Sequence, residues 1–271
     1  MTNNPQEKME NTVQVGDVTL AYRWDGPADG PVLVLSNSLM SNYNMWDDTL
    51  PALADKFRVL RYDKRGHGRS TVTPGPYSIA SLSEDLIGLM NALGVQKAHV
   101  AGLSMGGMIS QYIGANHPER VLSLALCNTA SEMPPRSLWE ERIAQAREGG
   151  TAALVDGTIG RWFRAGFTQR SPEKIATVRA MILATTTDGY IANASAVRDM
   201  AQTTMLLKIK APTLIMTGRQ DPACTMAQGE VLHRMIDGSR YEIIEDAAHL
   251  SNIEQPEVFN RLLRGFLDSV A

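Results

Sequence analysis

The chain has 271 residues, of which 44% are hydrophobic and 20% are charged, a composition typical of a globular protein that buries a full core. Its formal net charge of -3 gives no reason to expect a nucleic acid or a membrane surface as a partner. The N-terminal stretch MTNNPQEKMENT lacks the apolar segment of a signal peptide, and no apolar run approaches the roughly 18 residues of a membrane span. Cys127 and Cys224 lack the spacing of a disulfide framework or a zinc site. We therefore expect a cytoplasmic protein without a bound metal.

Two β-rich runs near the N-terminus, in TVQVGDVTLAYRW, are joined by the tight pair Gly16 and Asp17 and predict a hairpin. From Val32 onward, short apolar runs alternate with helical patterns. These runs are VLVLS, RVLRYD, AHVAGL, VLSLALC, TLIMTG and YEIIE. Runs that are apolar on both faces are typical of a parallel sheet covered by helices. We predict an α/β fold with a mostly parallel central sheet, helices on both faces and an antiparallel hairpin at one edge.

The segment from about residue 132 to residue 207 interrupts this alternation, because it contains helical patterns but no convincing strand. Pro134 and Pro135 mark its start, and KIKAP marks its end. We predict a helical cap of residues 132–207 inserted into a core of residues 1–131 and 208–271. Such an insertion can cover the carboxyl ends of the strands, where open α/β sheets bind ligands.

The sequence GLSMG, from Gly102 to Gly106, is a GxSxG motif between an apolar strand and a helical pattern. The glycines are needed because the serine backbone is strained there and larger side chains would collide with neighbouring chain. The turn exposes the Ser104 hydroxyl and puts the Met105 N–H at a helix N-terminus, where it can face a developing negative charge. We predict that Ser104 is a nucleophile; the alternative is a serine that only caps a helix.

A serine hydroxyl needs a base to remove its proton. His249 follows the strand YEIIE in the loop DAAHLS, and its late position matches the order nucleophile, acid, histidine of many GxSxG enzymes. His67, in the loop DKRGHGRS, could also approach the site but precedes the serine. Three further histidines lie in strand or helix patterns and are given structural roles: His99, His117 and His233.

A carboxylate must hold the imidazole in the correct tautomer. Asp221 follows the strand TLIMTG in a turn that Pro222 stiffens. Asp246, three residues before His249, is the rival, and its other interpretation is an aspartate that caps a loop. We predict Asp221 as the acid.

Taken together, these motifs resemble the α/β-hydrolases and, more narrowly, the 3-oxoadipate enol-lactonases of bacterial aromatic-acid breakdown. The similar stretches run in order from about residue 32 to residue 260 and include LSNSL, FRVLRYDKRGHGRS, GLSMGGMISQYIGA, GYIANASAVRD and AHLSNIEQPEVF. GxSxG and DxRGxG specify only the fold, whereas SNSL and GYIANASAVRD are more selective. The chain departs from the family at Met40, where a glycine is usual, at Lys64, where a threonine is usual, and at Ala201, where an acid is common.

The resemblance implies a serine hydrolase that opens an enol-lactone ring through an acyl-enzyme, in the β-ketoadipate pathway. It implies a small-molecule lactone or ester as substrate, and no metal or organic cofactor. Ser104, Asp221 and His249 would form the catalytic triad.

Two backbone N–H groups should hold the oxyanion of such a reaction. One belongs to Met105, and the other should come from the loop after the first parallel strand, where Leu39 lies. Asn37 and Ser38 are expected to hydrogen-bond local backbone in this sharp turn.

A substrate with a free carboxylate needs a cationic anchor, for which arginine has the right geometry. The candidates in the insertion are Arg136, Arg161, Arg164 and Arg198. We prefer Arg161, because RWF resembles the family, with Trp139 and Trp162 as apolar walls and Met40 at the mouth of the site.

Two alternatives remain. A hydrolase of another lactone or ester, such as an acyl-homoserine lactone, would keep the triad but would need an apolar channel in place of the cation. A ligand receptor on the same fold would leave the triad slow or idle.

Overall fold

The computed structural model describes residues 11–270 and contains an eight-stranded sheet in the order β1-β2-β4-β3-β5-β6-β7-β8. The strands are β1 (Asn11–Val15), β2 (Val18–Asp25), β3 (Val32–Ser36), β4 (Arg58–Tyr62), β5 (Ala98–Leu103), β6 (Val121–Cys127), β7 (Thr213–Gly218) and β8 (Arg240–Ile244). The pairs β1–β2 and β2–β4 are antiparallel, and the other neighbouring strands are parallel. Every apolar run singled out in the sequence is a strand. The prediction of a mostly parallel sheet with a hairpin at one edge is therefore confirmed.

Burial explains the two strand patterns. All residues of β5 and β7 are buried, because helices cover both faces of the sheet there. β1, at the edge, alternates between half-buried and exposed residues, as a strand with one solvated face does. Gly16 joins β1 to β2 with a φ of 54°, a conformation that glycine adopts without strain.

Ten α-helices are present among residues 11–270. They are α1 (Ile79–Ala92), α2 (Met105–Asn116), α3 (Arg136–Gly149), α4 (Val155–Trp162), α5 (Ala165–Arg170), α6 (Pro172–Ala184), α7 (Thr187–Asp199), α8 (Met226–Met235), α9 (Ser251–Glu254) and α10 (Pro256–Val270). Five of them, α3 to α7, lie between β6 and β7. This is the segment whose sequence predicts a helical insertion.

Hydrogen bonds to main-chain carbonyls join this segment to the rest of the molecule. Asn193, on α7, donates a hydrogen bond from Nδ2 to the Arg65 carbonyl at 3.0 Å, and the Gln202 N–H donates to the Ser131 carbonyl at 2.9 Å. Residues 1–10, with most of the N-terminal stretch discussed above, and residue 271 lie outside the described residues. Over residues 11–270, no helix is both long enough and apolar enough to cross a bilayer.

The first turn of α2 lies directly against the end of β3. A Cβ atom built on Gly106 would lie 2.0 Å from the Ser36 carbonyl oxygen, and one on Gly102 would lie 2.2 Å from the Gly106 carbonyl oxygen. Both obstacles are backbone atoms, which cannot rotate away. The two glycines of GxSxG are therefore required by close backbone packing.

We expect Gly106→Ala to lower the free energy of unfolding by roughly 1–3 kcal/mol, the usual cost of overpacking a buried site. The matched control is Gly160→Ala on α4, where an added Cβ meets no atom within 4 Å. Because alanine is the better helix former, the control should gain up to about 1 kcal/mol. Urea unfolding of both variants measures the difference, and equal stabilities would contradict this account of the packing.

Candidate active site

Ser104 occupies the turn between β5 and α2 with φ 55° and ψ -118°, an unfavourable conformation for a residue with a side chain. The surrounding chain holds it there. The Ser104 N–H donates to the Cys127 carbonyl at 2.9 Å, and the Ser104 carbonyl accepts from Thr129 Oγ1 at 2.7 Å. The strained turn is thus fixed by β6 and by the loop that follows it.

Asp221 and His249 lie near Ser104 because parallel strands end at the same edge of a sheet. Asp221 follows β7, and His249 follows β8. His249 Nδ1 and Asp221 Oδ2 are 2.9 Å apart, and both residues are buried. Since an ionised carboxylate only accepts hydrogen bonds, Nδ1 carries the hydrogen and Nε2 is left as an acceptor.

The Asp221 carboxylate is held by three further donors. Oδ1 accepts from the Ala223 N–H at 2.8 Å and from the Cys224 N–H at 2.9 Å. Oδ2 also accepts from Asn128 Nδ2 at 2.9 Å, and the same amide donates to the Ala248 carbonyl at 3.1 Å. Asn128 therefore ties the acid to the histidine loop. Sequence reasoning missed it, because an asparagine after a strand looks like any turn residue.

Asp246 and His67, the alternative acid and base, form contacts with residues other than Ser104, Asp221 and His249. Asp246 is 68% exposed and forms an ion pair with Arg164 at 2.6 Å. His67 Nε2 accepts a hydrogen bond from the Met40 N–H at 2.9 Å, and burial, followed by the charge of Lys64, lowers the pKa of His67 well below its usual value. The other three histidines pair with residues outside the site, namely Ser123, Glu84 and Ser239.

The loop after β3 brings its backbone to the site. Leu39 lines the same cavity as Ser104 and His249, and its N–H has no acceptor within residues 11–270. Met105 is the first residue of α2, where an N–H has no partner inside the helix. Met40 has a φ of 59°, so the glycine usual at this position in the family would fit the backbone better.

The prediction that the Asn37 and Ser38 side chains bond local backbone is wrong for both: Asn37 contacts a neighbouring strand and a tryptophan side chain, and the Ser38 hydroxyl has no partner within residues 11–270. Asn37 Nδ2 donates to the Tyr62 carbonyl at 2.7 Å, and Asn37 Oδ1 accepts from Trp46 Nε1 at 3.0 Å. The Ser38 hydroxyl is buried on the cavity wall and has no hydrogen-bond partner in the described part of the chain.

Residues of α3, α4 and α7 form part of the wall of the cavity. All four residues predicted at the substrate site line it: Met40, Trp139, Arg161 and Trp162. Arg142 and Tyr190 line it as well and were missed. Arg142 lies in a helical pattern that carries no signal separating it from exposed residues, whereas Tyr190 lies in GYIANASAVRD, a selective stretch of the resemblance that could have pointed to it. Ala201, the third departure from the family, is exposed and follows α7.

Arg142 and Arg161 are half-buried side by side, and neither has a carboxylate within ion-pair distance among the described residues. Burial, followed by the charge of Arg142, lowers the pKa of Arg161 to about 10. Burial also lowers the pKa of Arg142. Arg161 donates to Thr158 Oγ1 at 3.2 Å, and the Arg142 guanidinium lies 5.0 Å from the centre of the Trp139 ring. The two arginines form a cationic wall that has no carboxylate counterpart in the described part of the chain.

The other predicted arginines have partners. Arg136 pairs with Glu140 and Asp199, and Arg198 pairs with the same Asp199. Arg164 pairs with Asp246 and with Glu254. These three arginines do not line the cavity of Ser104.

One group of side chains has the spacing of metal ligands in the described region, namely Asp221, Cys224 and His249, whose ligand atoms lie within 4.8 Å of one another. Burial and the charge of Asp221 raise the pKa of the Cys224 thiol well above its usual value, so the thiol stays protonated. The Asp221 oxygens already accept four hydrogen bonds. The group is thus better suited to orienting an imidazole than to holding a cation.

Comparison with known proteins identifies the family. The family model described as the alpha/beta hydrolase fold matches residues 31–256. The chain therefore belongs to the α/β hydrolase fold family, whose nucleophile sits on a strand-to-helix turn.

Within this family, the chain is similar to 3-oxoadipate enol-lactonase 2 of Acinetobacter baylyi, with 35% identity over 263 residues, 97% of this chain and 98% of the relative. The crystal structure of the enol-lactonase from Burkholderia xenovorans LB400 matches with a TM-score of 0.94 and 39% identity, over 95% of this chain and 100% of that one. RutD of Pseudomonas savastanoi pv. phaseolicola, provisionally named a carbamate hydrolase, is 31% identical over 89% of this chain and 95% of its own. The resemblance to enol-lactonases is confirmed, and it extends to a hydrolase named for another substrate.

Because Arg161 is half-buried beside a second cation, Arg161→Met should raise the free energy of unfolding by at most about 1 kcal/mol. The matched control is Arg136→Met, since Arg136 lies on the surface in ion pairs. Exposed pairs contribute about 0–1 kcal/mol, so the control should be neutral or slightly destabilised. Chemical unfolding compares the two, and a clear loss of stability in folded Arg161→Met would contradict the reasoning.

Proposed function

We propose that the protein is a serine hydrolase that opens the ring of 3-oxoadipate enol-lactone to give 3-oxoadipate. The observation that carries the proposal is the pair Arg142 and Arg161, which lacks a carboxylate partner among residues 11–270 and lines the cavity of Ser104 and His249. An enol-lactone with a free carboxylate supplies the negative charge that this wall lacks. The similarity to two enol-lactonases supports the same substrate class.

In the first step, His249 Nε2 accepts the Ser104 hydroxyl proton while Oγ forms a bond to the lactone carbonyl carbon. The carbonyl oxygen becomes an oxyanion that accepts hydrogen bonds from the N–H groups of Leu39 and Met105. Losing one such donor costs about 3 kcal/mol in activation free energy. Asp221 accepts the Nδ1 hydrogen of His249 and stabilises the imidazolium that forms.

In the second step, the tetrahedral intermediate collapses and the ring C–O bond breaks. The enolate oxygen takes the proton from His249, and the enol tautomerises to a ketone that does not readily close the ring again. Ser104 is left acylated. His249 then deprotonates a water molecule that attacks the acyl carbonyl, and Ser104 regains its proton as the carboxylate product leaves.

The cavity suits this substrate better than the alternatives. The neutral acyl chain of an acyl-homoserine lactone would leave the charges of Arg142 and Arg161 without compensation. A receptor would not need an imidazole that is oriented by a carboxylate with three further donors. Trp139 and Trp162 supply apolar walls for either lactone, so they do not distinguish between the two substrates.

The triad assignment predicts that Ser104→Ala abolishes hydrolysis without unfolding the protein. Asp221→Asn should lower kcat by about ten-thousand-fold, because an amide favours the wrong imidazole tautomer. Asp246→Asn is the matched control and should stay within about twofold, as an exposed substitution does. Steady-state kinetics on the enol-lactone measures all three, and a larger effect at Asp246 than at Asp221 would show that the other carboxylate is the acid.

The substrate assignment predicts that the enol-lactone of 3-oxoadipate is consumed far faster than a neutral lactone of similar size. A charge-assisted hydrogen bond contributes about 1.5–3 kcal/mol, so Arg142→Met or Arg161→Met should raise KM for the anionic lactone by roughly ten- to a hundred-fold. The neutral lactone should be affected much less, and Arg136→Met should change neither. Equal use of the two lactones by the wild-type protein would refute this substrate.

A further inference from the structure

Lys64 lies just beyond the end of β4 and is 1% exposed. Its ammonium donates to the Ser38 carbonyl at 2.7 Å and to the Asn37 carbonyl at 3.2 Å. Both carbonyls belong to the loop after β3. A lysine is rarely buried so completely without a carboxylate partner, so this placement calls for a physical reason.

The Ser38 carbonyl and the Leu39 N–H belong to one peptide group. In a planar trans peptide these two bonds point in opposite directions. Because the carbonyl points to the Lys64 ammonium, the Leu39 N–H points away from it, and Leu39 lies on the cavity wall. The Lys64 ammonium therefore lies at the carbonyl end of the peptide group whose N–H is proposed to bind the oxyanion.

Other contacts leave this peptide group little freedom to rotate. The Ser38 carbonyl also accepts from Ser41 Oγ at 2.8 Å, so two donors hold its oxygen. The next N–H, that of Met40, donates to His67 Nε2 at 2.9 Å. The orientation of the Leu39 N–H is thus set by contacts on both sides.

The charge of Lys64 is only partly compensated. Burial lowers the pKa of Lys64 to about 7, and the neighbouring charge of Asp63 opposes that shift. The Asp63 carboxylate itself accepts from the backbone N–H groups of Tyr43 and Arg69, at 2.8 and 3.1 Å. The main-chain carbonyls are thus the direct acceptors of the Lys64 ammonium among the described residues.

We propose that Lys64 is a positioning residue for the oxyanion: it fixes and polarises the Ser38–Leu39 peptide, so that the Leu39 N–H binds the substrate carbonyl oxygen more strongly as negative charge develops. Hydrogen bonds that share a peptide group strengthen one another, and a charged donor at the carbonyl makes the N–H a better donor. This inference rests on the function proposed above for Ser104 and Leu39.

Lys64 should stabilise the transition state more than the bound substrate, because the carbonyl oxygen of the substrate carries little negative charge before the reaction. Removal of the ammonium should therefore lower kcat and leave KM nearly unchanged. The Leu39 N–H itself remains, so the loss should be smaller than the loss of a whole donor. We expect about a tenfold decrease in kcat, with KM within about twofold.

The experiment compares Lys64→Met with the matched control Lys97→Met, in the full chain, using p-nitrophenyl acetate as substrate. Lys97 is exposed and precedes β5 at the end of the sheet opposite Ser104. The second probe is phenylboronic acid, whose boron accepts a bond from Ser104 Oγ, with the hydroxyl proton passing to His249, to form an anionic tetrahedral adduct. For Lys64→Met, kcat should fall and the inhibition constant of phenylboronic acid should rise, each about tenfold, whereas Lys97→Met should match the wild-type protein.

Thermal unfolding shows whether each variant is folded. If Lys64→Met does not fold, Lys64→Gln is used instead, since it keeps a buried donor without the charge. Its kcat should fall about threefold, and its inhibition constant for phenylboronic acid should rise about threefold. A folded Lys64 variant with the kcat and inhibition constant of the wild-type protein would overturn the inference. An equal loss of kcat and of inhibitor binding in Lys97→Met would overturn it as well. Failure of the proposed function has a different signature, in which wild-type and Ser104→Ala proteins hydrolyse the ester equally slowly.

Discussion

The backbone of Gly106, in the first turn of α2, lies directly against the Ser36 carbonyl at the end of β3. This contact holds the loop after β3 beside the strand-to-helix turn, so that Leu39, Met105 and Ser104 face one cavity. A side chain at position 106 would separate these elements. The positive φ of Ser104 depends on the same packing, because a strained conformation persists only where its surroundings hold it.

Around this contact, buried polar groups form a second layer that orients the site. Asn128 joins the Asp221 carboxylate to the loop of His249, and His67 holds the Met40 N–H. Lys64 donates to the carbonyl of the peptide that carries the Leu39 N–H. Each of these groups is buried, and each hydrogen bond is stronger there than in water. The geometry of the cavity is therefore set by residues that do not themselves line its centre.

The charges of the insertion divide into two groups. Arg136, Arg164 and Arg198 each pair with a carboxylate. Arg142 and Arg161 instead face the cavity with no acidic partner in residues 11–270, and burial beside another cation is unfavourable. A bound anion would offset the repulsion between these two half-buried guanidinium groups. In the function we propose, selectivity thus comes from the helices between β6 and β7, and the bond-breaking chemistry comes from residues that follow the strands of the sheet.

The sequence by itself determined the strands, because residues buried on both faces must be apolar. It also indicated Ser104, Asp221 and His249 as the proposed triad, because the motif and the ends of strands are local features. The choice of Asp221 over Asp246 also followed from its position after a strand. Only the tertiary structure decided that Arg142, Tyr190 and Asn128 reach the site and that the Ser38 hydroxyl has no partner within the described chain. These outcomes depend on which helix face meets which loop across long sequence separations, and a local pattern carries no information about such contacts.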